Sequence, residues 1–404
     1  MGIKKLFTFL NNNNMFKIYP YLNDLLADLD IDKKKLLIGV DGNLFCHKYT
    51  HSYDNMLIGF FNQVLKFLSN KIIPLYIFDG GTLPEKENTN YIRYQKKVMS
   101  KYKLEQIENL LEINNDSDNK SNLIALKKKM EKNSAKINIE SITLLLELFD
   151  LLNIPYIFSH GEGEYLAVLL NKYKIIDMFL SDDTDPIPAG INHTIKFYNN
   201  NVYYLDTKLI YENYSLTSKQ FCDLCILLGS DYMSINHGLK PEEILEIIRQ
   251  YDNIENIIKN NAIENIEFAS MELVNKIRNI YYYSDLFERD FIINEQSFAE
   301  SNTNFDSNPK INLLIDHTNI AFYSNIMLEY WDVFVGVLKN DIGELDEIKQ
   351  SSDNFKLLIN NHIGKSKFNV KNILKYIKNN IEDITDNEIA NIIMSFEFLN
   401  TFGI

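Results

Sequence analysis

Short apolar runs of strand length alternate along this chain with stretches whose apolar residues recur at helical spacing. LLIGVD (36–41), PLYIFD (74–79), IPYIFS (154–159) and IDMFLS (176–181) are near-continuous apolar runs, the pattern of strands covered on both faces. TIKFYN and NVYYLD add two strand candidates before residue 207. Leu57, Phe60, Phe61, Val64, Leu65 and Leu68 form a helical stripe, and ITLLLELFDLL predicts another helix over about 138–153. Strands alternating with helices predict an α/β protein built on a parallel sheet. Residues 1–34 carry helical patterning. The region from Pro84 to about Lys136 is polar and helix-prone, with NNDSDNKSN at 114–122 reading as a loop or flexible cap. After Thr217 the pattern turns helical. FCDLCILLGSDY ends on Gly-Ser-Asp, and PEEILEIIRQY opens with Pro241 at a favourable first-turn position. From about 265 onward a mostly helical pattern holds the single tryptophan, Trp331.

Composition narrows the class. A chain of 404 residues, 46% hydrophobic and 24% charged, predicts a soluble globular protein of two or three units. No apolar run approaches the roughly 20 residues that span a bilayer. Gly2 is followed by Leu6 rather than Ser or Thr at that position, which speaks against myristoylation, and no secretory signal is visible. The three cysteines fit a reducing compartment, and Cys222 and Cys225 inside FCDLCILLG read as core. The net charge of −14 does not exclude nucleic acid, because local distribution decides such binding. The abundance of Lys, Asn and Ile resembles the residue usage of an AT-rich gene and bears on the genome, not on function.

The candidate chemistry lies at the strand ends. Asp41, Asp79, Glu162, Glu164, Asp183, Asp185 and Asp231 follow or close apolar runs. Singly, an Asp at a strand end is often a cap or turn residue. As a set they would converge, because the carboxyl ends of parallel strands open on one crevice. Such a cluster repels itself unless cations or protons neutralise it. Hard oxygen donors in that number favour Mg²⁺ or Mn²⁺ over zinc and suit metal-assisted phosphodiester hydrolysis. Lys86 and Arg93, seven residues apart on a predicted helix, face one side, and Lys97 continues it. Cations so placed can stabilise a phosphate's developing charge. Lys96, Lys97, Lys101 and Lys103, taken singly, read as a solvated helix face.

MGIKKL at the start, VDGN at 40–43, FDGG at 78–81, GEGE at 161–164, SDDTD at 181–185 and LCILLGSDY at 224–232 together resemble the flap endonuclease (Rad2-like) family of structure-specific 5′ nucleases. The resemblance spans roughly residues 1–250. It implies a PIN-like twisted parallel sheet flanked by helices, a helical arch over the active site, a helix–two-turn–helix element and a helical C-terminal region. The corresponding layout is an N-terminal nuclease region (1–110), an arch or cap insertion (84–136), an internal nuclease region (137–216), the DNA-binding element (217–255) and the C-terminal region (256–404). The resemblance assigns Asp41, Asp79, Glu162 and Glu164 to one Mg²⁺ and Asp183, Asp185 and Asp231 to a second, with Mn²⁺ able to substitute. It assigns catalysis to Lys86 and Arg93, and substrate contacts to Gly2, His47, Lys97, Gly229, Gly238 and Lys240. It further implies K⁺ at the two-turn element.

The implied partner is DNA with a 5′ flap, branch or free 5′ end, met by a monomer without a membrane, in a nucleus or a cytoplasmic replication compartment. There are departures. Glu242 and Glu243 follow Gly238-Leu-Lys240-Pro241 where the family favours basic residues, His47 stands where the family often has a stacking Tyr, and SFEFLNTFGI lacks the glutamine of a sliding-clamp motif. Two other readings stay open: a 5′→3′ exoribonuclease of the related fold, echoed by VDGNLFCH and GEGEYL, and a catalytically inactive nucleic-acid-binding scaffold.

Overall fold

A computed structural model describes residues 2–29, 36–53, 55–80, 86–113, 117–134, 137, 139–159, 161–172, 174–233, 235, 237–263, 270–281, 312–315, 321–324, 368–381, 389–390 and 393–396. Six strand candidates from the sequence form strands: β2 (Leu37–Asp41), β3 (Ile73–Phe78), β4 (Tyr156–Phe158), β5 (Met178–Leu180), β6 (His193–Tyr198) and β7 (Asn201–Asp206). Three more were not anticipated: β1 (Lys17–Tyr19), β8 (Asn312–Ile315) and β9 (Ala321–Ser324). The nine strands form one sheet in the order β1-β7-β6-β5-β2-β3-β4-β9-β8. Its centre, β6-β5-β2-β3-β4, is parallel, while β7, β1, β9 and β8 join antiparallel at the edges. The sheet is therefore mixed rather than wholly parallel. β1 interrupts the helical reading of residues 1–34, which otherwise holds in the helices Leu6–Asn12 and Leu22–Asp28. Three residues are too few to carry a period. The β8–β9 hairpin likewise departs from the helical pattern expected after 265, and Trp331 lies outside the described residues.

Alternation along the central strands builds two cores. On β3, Ile73, Leu75 and Ile77 enter one core, and Tyr76 and Phe78 enter the other. The first core takes helices Leu6–Asn12, Gly163–Lys172, Ser218–Leu228, Pro241–Tyr251 and Met271–Tyr281; the second takes Gly42–Ser52, Met56–Ser69 and Ile139–Leu151. In the second core Tyr76 stacks on Phe149 with centroids 4.3 Å apart, and its hydroxyl donates to Gln63 over 2.8 Å.

The sheet order places one feature decisively. From β2 the chain builds outward through β3 and β4, then returns to lay β5 on the opposite side of β2. The β2/β5 boundary is thus where the winding reverses, and ligands of open α/β sheets bind outside the carboxyl ends of strands at that point.

Two long helices, Glu87–Ile113 and Ser117–Ser134, pack on each other beyond β3. The stretch 114–122 is thus not a nine-residue loop, because helix resumes at Ser117. A Ser-Asp start at 117–118 suits a helix N-terminus as readily as it suits a turn. Lys127 bridges the pair by an ion pair with Glu108 at 3.0 Å. The helix Ser218–Leu228 begins with a capping box between Thr217 and Gln220 and stops at Gly229, whose φ of +85° favours glycine. Arg278 ties the later helices to it, donating to Asp223 over 2.7 and 2.6 Å and to Glu255 over 2.6 Å. Among the described residues no helix is long and apolar enough to cross a membrane.

Candidate active site

The seven carboxylates come from four parallel-strand ends and one helix end. Asp41 closes β2 and caps the helix that follows, its Oδ1 accepting from the Leu44 amide at 2.9 Å. Its Oδ2 accepts from Ser181 Oγ, just past β5, at 2.9 Å, so this pair clasps the β2/β5 boundary. Burial, reinforced by Asp79, pushes the Asp41 carboxyl up to about 7. Asp79 follows β3 and accepts from the Gly163 amide at 2.6 Å and from Asn43 Nδ2 at 2.7 Å. Its acidity is weakened first by burial. A Cβ at Gly163 would stand 3.2 Å from Asp79 Oδ1, so the backbone approaches this carboxylate closely.

Glu164, Asp183 and Asp185 form the centre. Among the described residues, one ligand oxygen from each lies within 4.8 Å of the others. Asp185 has no exposure, and among the described residues neither of its carboxylate oxygens has a hydrogen-bond partner; Glu164 Oε2 also lacks one. Burial drives both carboxyls well above their usual range, and Asp183 adds to each. Buried carboxylates are costly unless paired or bound to a cation. Oxygen donors with unused lone pairs, gathered at one point, fit a hard divalent ion. The grouping crosses the division made from sequence, which put Glu164 with Asp41 rather than with Asp183 and Asp185.

The other two carboxylates meet the two cations. Lys86, almost fully buried, lies 2.7 Å from Glu162 Oε2 and 3.9 Å from Asp185 Oδ2. Its ammonium also sits 5.0 Å from the Tyr232 ring centroid, and Tyr232 donates to the same Glu162 oxygen at 3.3 Å. Desolvation works against the charged ammonium, but Glu164, Asp185 and Glu162 outweigh it and raise its pKa beyond the ordinary lysine value. Arg93 Nη2 lies 2.5 Å from Asp231 Oδ2. Thr89, on the same helix, donates to the Asp231 carbonyl, so the helix start is fastened to this acidic residue twice.

The expected substrate contacts separate into three places. Gly2 lies on the acidic turn itself: φ is +77°, and a Cβ there would meet Asp183 Oδ1 at 1.9 Å. Next to it the Ile3 amide donates to Thr184 Oγ1 at 2.9 Å, and the Lys4 amide donates to the Gly229 carbonyl at 2.8 Å. The chain start is therefore pinned between the acidic turn and the end of the Ser218–Leu228 helix. His47 feels the second group of cations: partial desolvation, then the charges of Lys97, His51 and Arg93, lower its imidazole pKa. Gly238 and Lys240 stand apart, in the turn before Pro241. Gly238 has φ +72° with open space around it, and the exposed Lys240 caps the next helix by donating its amide to Glu243 at 2.7 Å. Glu243, a departure in the sequence, is thus spent on a helix cap.

Sequence reasoning missed the polar residues that hold the carboxylates. Asn43, Ser181 and Tyr232 lay inside motifs already singled out, VDGN, SDDTD and GSDY, but each reads there only as a neighbour of an acid. Tyr165, which shares a buried hydroxyl contact of 2.5 Å with Tyr232, carried no signal beyond helical apolarity. Asp182, beside the cluster, turns away to Lys48 at 2.9 Å.

A winding reversal in a parallel sheet, with acidic residues gathered at it and two cations against them, defines a PIN-like α/β protein with a divalent-metal type of centre. The XPG N-terminal domain profile matches residues 1–100, and the XPG I-region profile matches 153–231. Together they contain all seven carboxylates and both cations. The two XPG matches, with the flap endonuclease 1 relatives, support placing the chain in the flap endonuclease/Rad2-like family. It is similar to flap endonuclease 1 of Encephalitozoon cuniculi, 26% identical over 322 residues, which cover 73% of this chain and 88% of that one. Flap endonuclease 1 of Entamoeba histolytica is 29% identical over 209 residues, covering 50% of this chain and 53% of its own length. The match thus spans only about half of that relative. The fold is similar to the catalytic core of Rad2 in complex with DNA substrate, with a TM-score of 0.53 at 15% identity over 98% of this chain and 100% of that one.

Proposed function

We propose that this protein is a Mg²⁺-dependent, structure-specific 5′ nuclease that hydrolyses DNA phosphodiester bonds at flaps or branches. The observation that carries the reading is the convergence of Glu164, Asp183 and Asp185 at the sheet's winding reversal, where both Asp185 oxygens and Glu164 Oε2 have no hydrogen-bond partner among the described residues. Asp41, Asp79, Glu162 and Asp231 complete the donor set for two ions, for which Mn²⁺ would substitute. When bound, such ions supply an activated water and stabilise the leaving oxygen.

The chain's own residues do the rest. Ser181, Asn43 and the Gly163 amide fix the carboxylates, so little reorganisation is needed when charge develops. Lys86 and Arg93 stand at the two ends of the cluster, where they can turn from Glu162 and Asp231 to the oxygens of a scissile phosphate. His47 offers a stacking surface beside them, weaker than the family's tyrosine. The stretch from Gly229 to Pro241, with the exposed Lys240 at its end, is the place for duplex phosphates and for K⁺. The helices Glu87–Ile113 and Ser117–Ser134 serve as the arch over the unpaired strand. The five regions set out from sequence remain the working division of labour. A monomer acting on replication or repair intermediates places the work in a nucleus or a cytoplasmic replication compartment.

The test is a cleavage panel of 5′-flap, nicked, Y-shaped and four-way DNA, with matched RNA flaps, in Mg²⁺. Cutting of flap or branched DNA that Asp183→Ala abolishes is expected. Preference for RNA would favour the exoribonuclease reading, and tight metal binding without cleavage of any substrate would favour the scaffold.

A further inference from the structure

His237 enters no step of the chemistry above, yet its half-buried imidazole bridges the stretch assigned to duplex phosphates. Nε2 lies 2.8 Å from the Leu227 carbonyl, ten residues back along the chain. Nδ1 lies 3.0 Å from the Leu239 amide. A backbone amide donates and cannot accept, so Nδ1 is the acceptor and Nε2 carries the hydrogen that Leu227 receives. The geometry thus selects one neutral tautomer and employs both ring nitrogens.

The two partners belong to different elements. Leu227 lies in the last turn of the helix Ser218–Leu228, whose final four carbonyls have no amide partner inside the helix. That helix stops at Gly229, just before Asp231. Leu239 precedes Lys240 and the helix Pro241–Tyr251. The first part of the intervening stretch holds itself: the Ser230 amide donates to the Met233 carbonyl at 2.8 Å, and the Tyr232 amide to Ser230 Oγ at 3.2 Å. Ile235 is then buried in the first core. Beyond it, among the described residues from His237 to Leu239, the hydrogen bonds are the two of the imidazole. Gly238, at φ +72°, supplies the turn that brings the Leu239 amide back to the ring.

In the nuclease reading Asp231 serves the metal ions and Lys240 meets duplex phosphates. An enzyme that grips its substrate at one place and cuts at another needs a constant distance between them, and an error of about 1 Å is costly. The imidazole supplies that constancy, because it ties the residue before Lys240 to the helix that ends at Asp231.

We propose that His237 is a positioning residue that sets the cleavage position: it determines which phosphate of a duplex held at Lys240 reaches the acidic cluster. The inference rests on the nuclease reading above and deepens it, giving the stretch the role of a spacer as well as a contact.

The experiment cleaves a 5′-flap DNA in Mg²⁺ at constant K⁺ and resolves the products to single nucleotides. Wild type should cut at one dominant phosphate. His237→Ala should spread the cuts over neighbouring phosphates and raise KM about tenfold, the order of one lost hydrogen bond, while kcat summed over the products holds. His237→Gln should restore both, since a side-chain amide offers a donor and an acceptor. His237→Phe keeps the bulk without either and should behave as His237→Ala. Lys240→Ala, with the bridge intact, should raise KM and keep the single cut position. A flap on a duplex too short to reach the turn should be cut alike by wild type and all three His237 variants.

Loss of that short-duplex activity in the variants would make His237 a general support of the fold and overturn the proposal. Wild-type behaviour of His237→Phe would assign the ring to packing and overturn it too. Wild-type protein that cuts one phosphate, while His237→Ala cuts the same one with the same KM, overturns the positioning role alone. Wild-type protein that cleaves no DNA overturns the nuclease reading and the positioning role with it.

Discussion

Asp185 is the side chain whose burial is hardest to account for by protein contacts alone. It is fully buried, its oxygens accept no hydrogen bond among the described residues, and the Lys86 ammonium is 3.9 Å away and closer to Glu162. A charge so placed costs folding free energy unless a cation joins it. Asp185→Asn keeps the shape and removes the charge. In EDTA this variant should therefore be more stable than wild type, by about 1–3 kcal/mol, read as a higher Tm. Mg²⁺ or Mn²⁺ should raise the wild-type Tm, by about 2.7 kcal/mol of stability at a hundredfold excess over Kd, and raise the variant's far less. A variant less stable than wild type in EDTA would count against a charge-relieving metal at this residue. Gly2 gives a second prediction. A Cβ at 1.9 Å from Asp183 Oδ1, on a backbone with φ +77°, cannot fit without moving the acidic turn. Gly2→Ala should weaken Mn²⁺ binding roughly 10–100-fold, the usual penalty for disturbing a ligand's support, with little change in Tm without metal. Unaltered Mn²⁺ titration would show that the chain start does not shape the site.

Two helix starts set the geometry at the scale of elements. The start of the helix Glu87–Ile113 sets Lys86 against Glu162 and Arg93 against Asp231, and the helix Gly163–Lys172 begins on the amide that holds Asp79. Lys86→Ala and Arg93→Ala should lower the single-turnover rate by at least about 10²-fold, the usual cost of one charge-stabilising group, while the dissociation constant in Ca²⁺ changes little. Arg93→Lys should recover only part, because an ammonium lacks the guanidinium fork. Variants that bind weakly but cut at the normal rate once saturated would reduce both residues to backbone contacts. The central strands and the acidic residues at their ends were legible because each strand is a closed apolar run and each acid stops one. β1 was not legible, since three residues with exposed positions carry no period. The stretch 114–122 misled because Asn, Asp and Ser favour turns and helix starts alike. Edge strand β9 owes its place to pairing with β4, a long-range association that local pattern does not report, and β8 follows by pairing with β9.

Across the whole molecule, net charge and binding surface pull in opposite directions. The chain carries −14 overall, yet its seven clustered carboxylates lie where divalent ions would offset part of that charge. Lys96, Lys97 and Lys103 of the helix Glu87–Ile113 line a groove with no acid among the described residues, and Lys240 stands exposed just before Pro241–Tyr251. Remote acidic residues are screened beyond about 10 Å at 0.1 M salt, so they blunt the approach of DNA without governing its contacts. Binding should then follow the local basic surfaces. If about six phosphates are neutralised, affinity for 5′-flap DNA in Ca²⁺ should fall on the order of 10³-fold between 50 and 200 mM salt. The same titration on Lys240→Ala should lose slope on flap and nicked DNA alike, because that turn would meet duplex, whereas loss of Lys96 and Lys103 should appear on the flap alone. A salt-independent affinity would mean that the acidic total prevails and that DNA is not gripped through these surfaces. A steep slope that Lys240→Ala leaves untouched would place the duplex elsewhere on the protein.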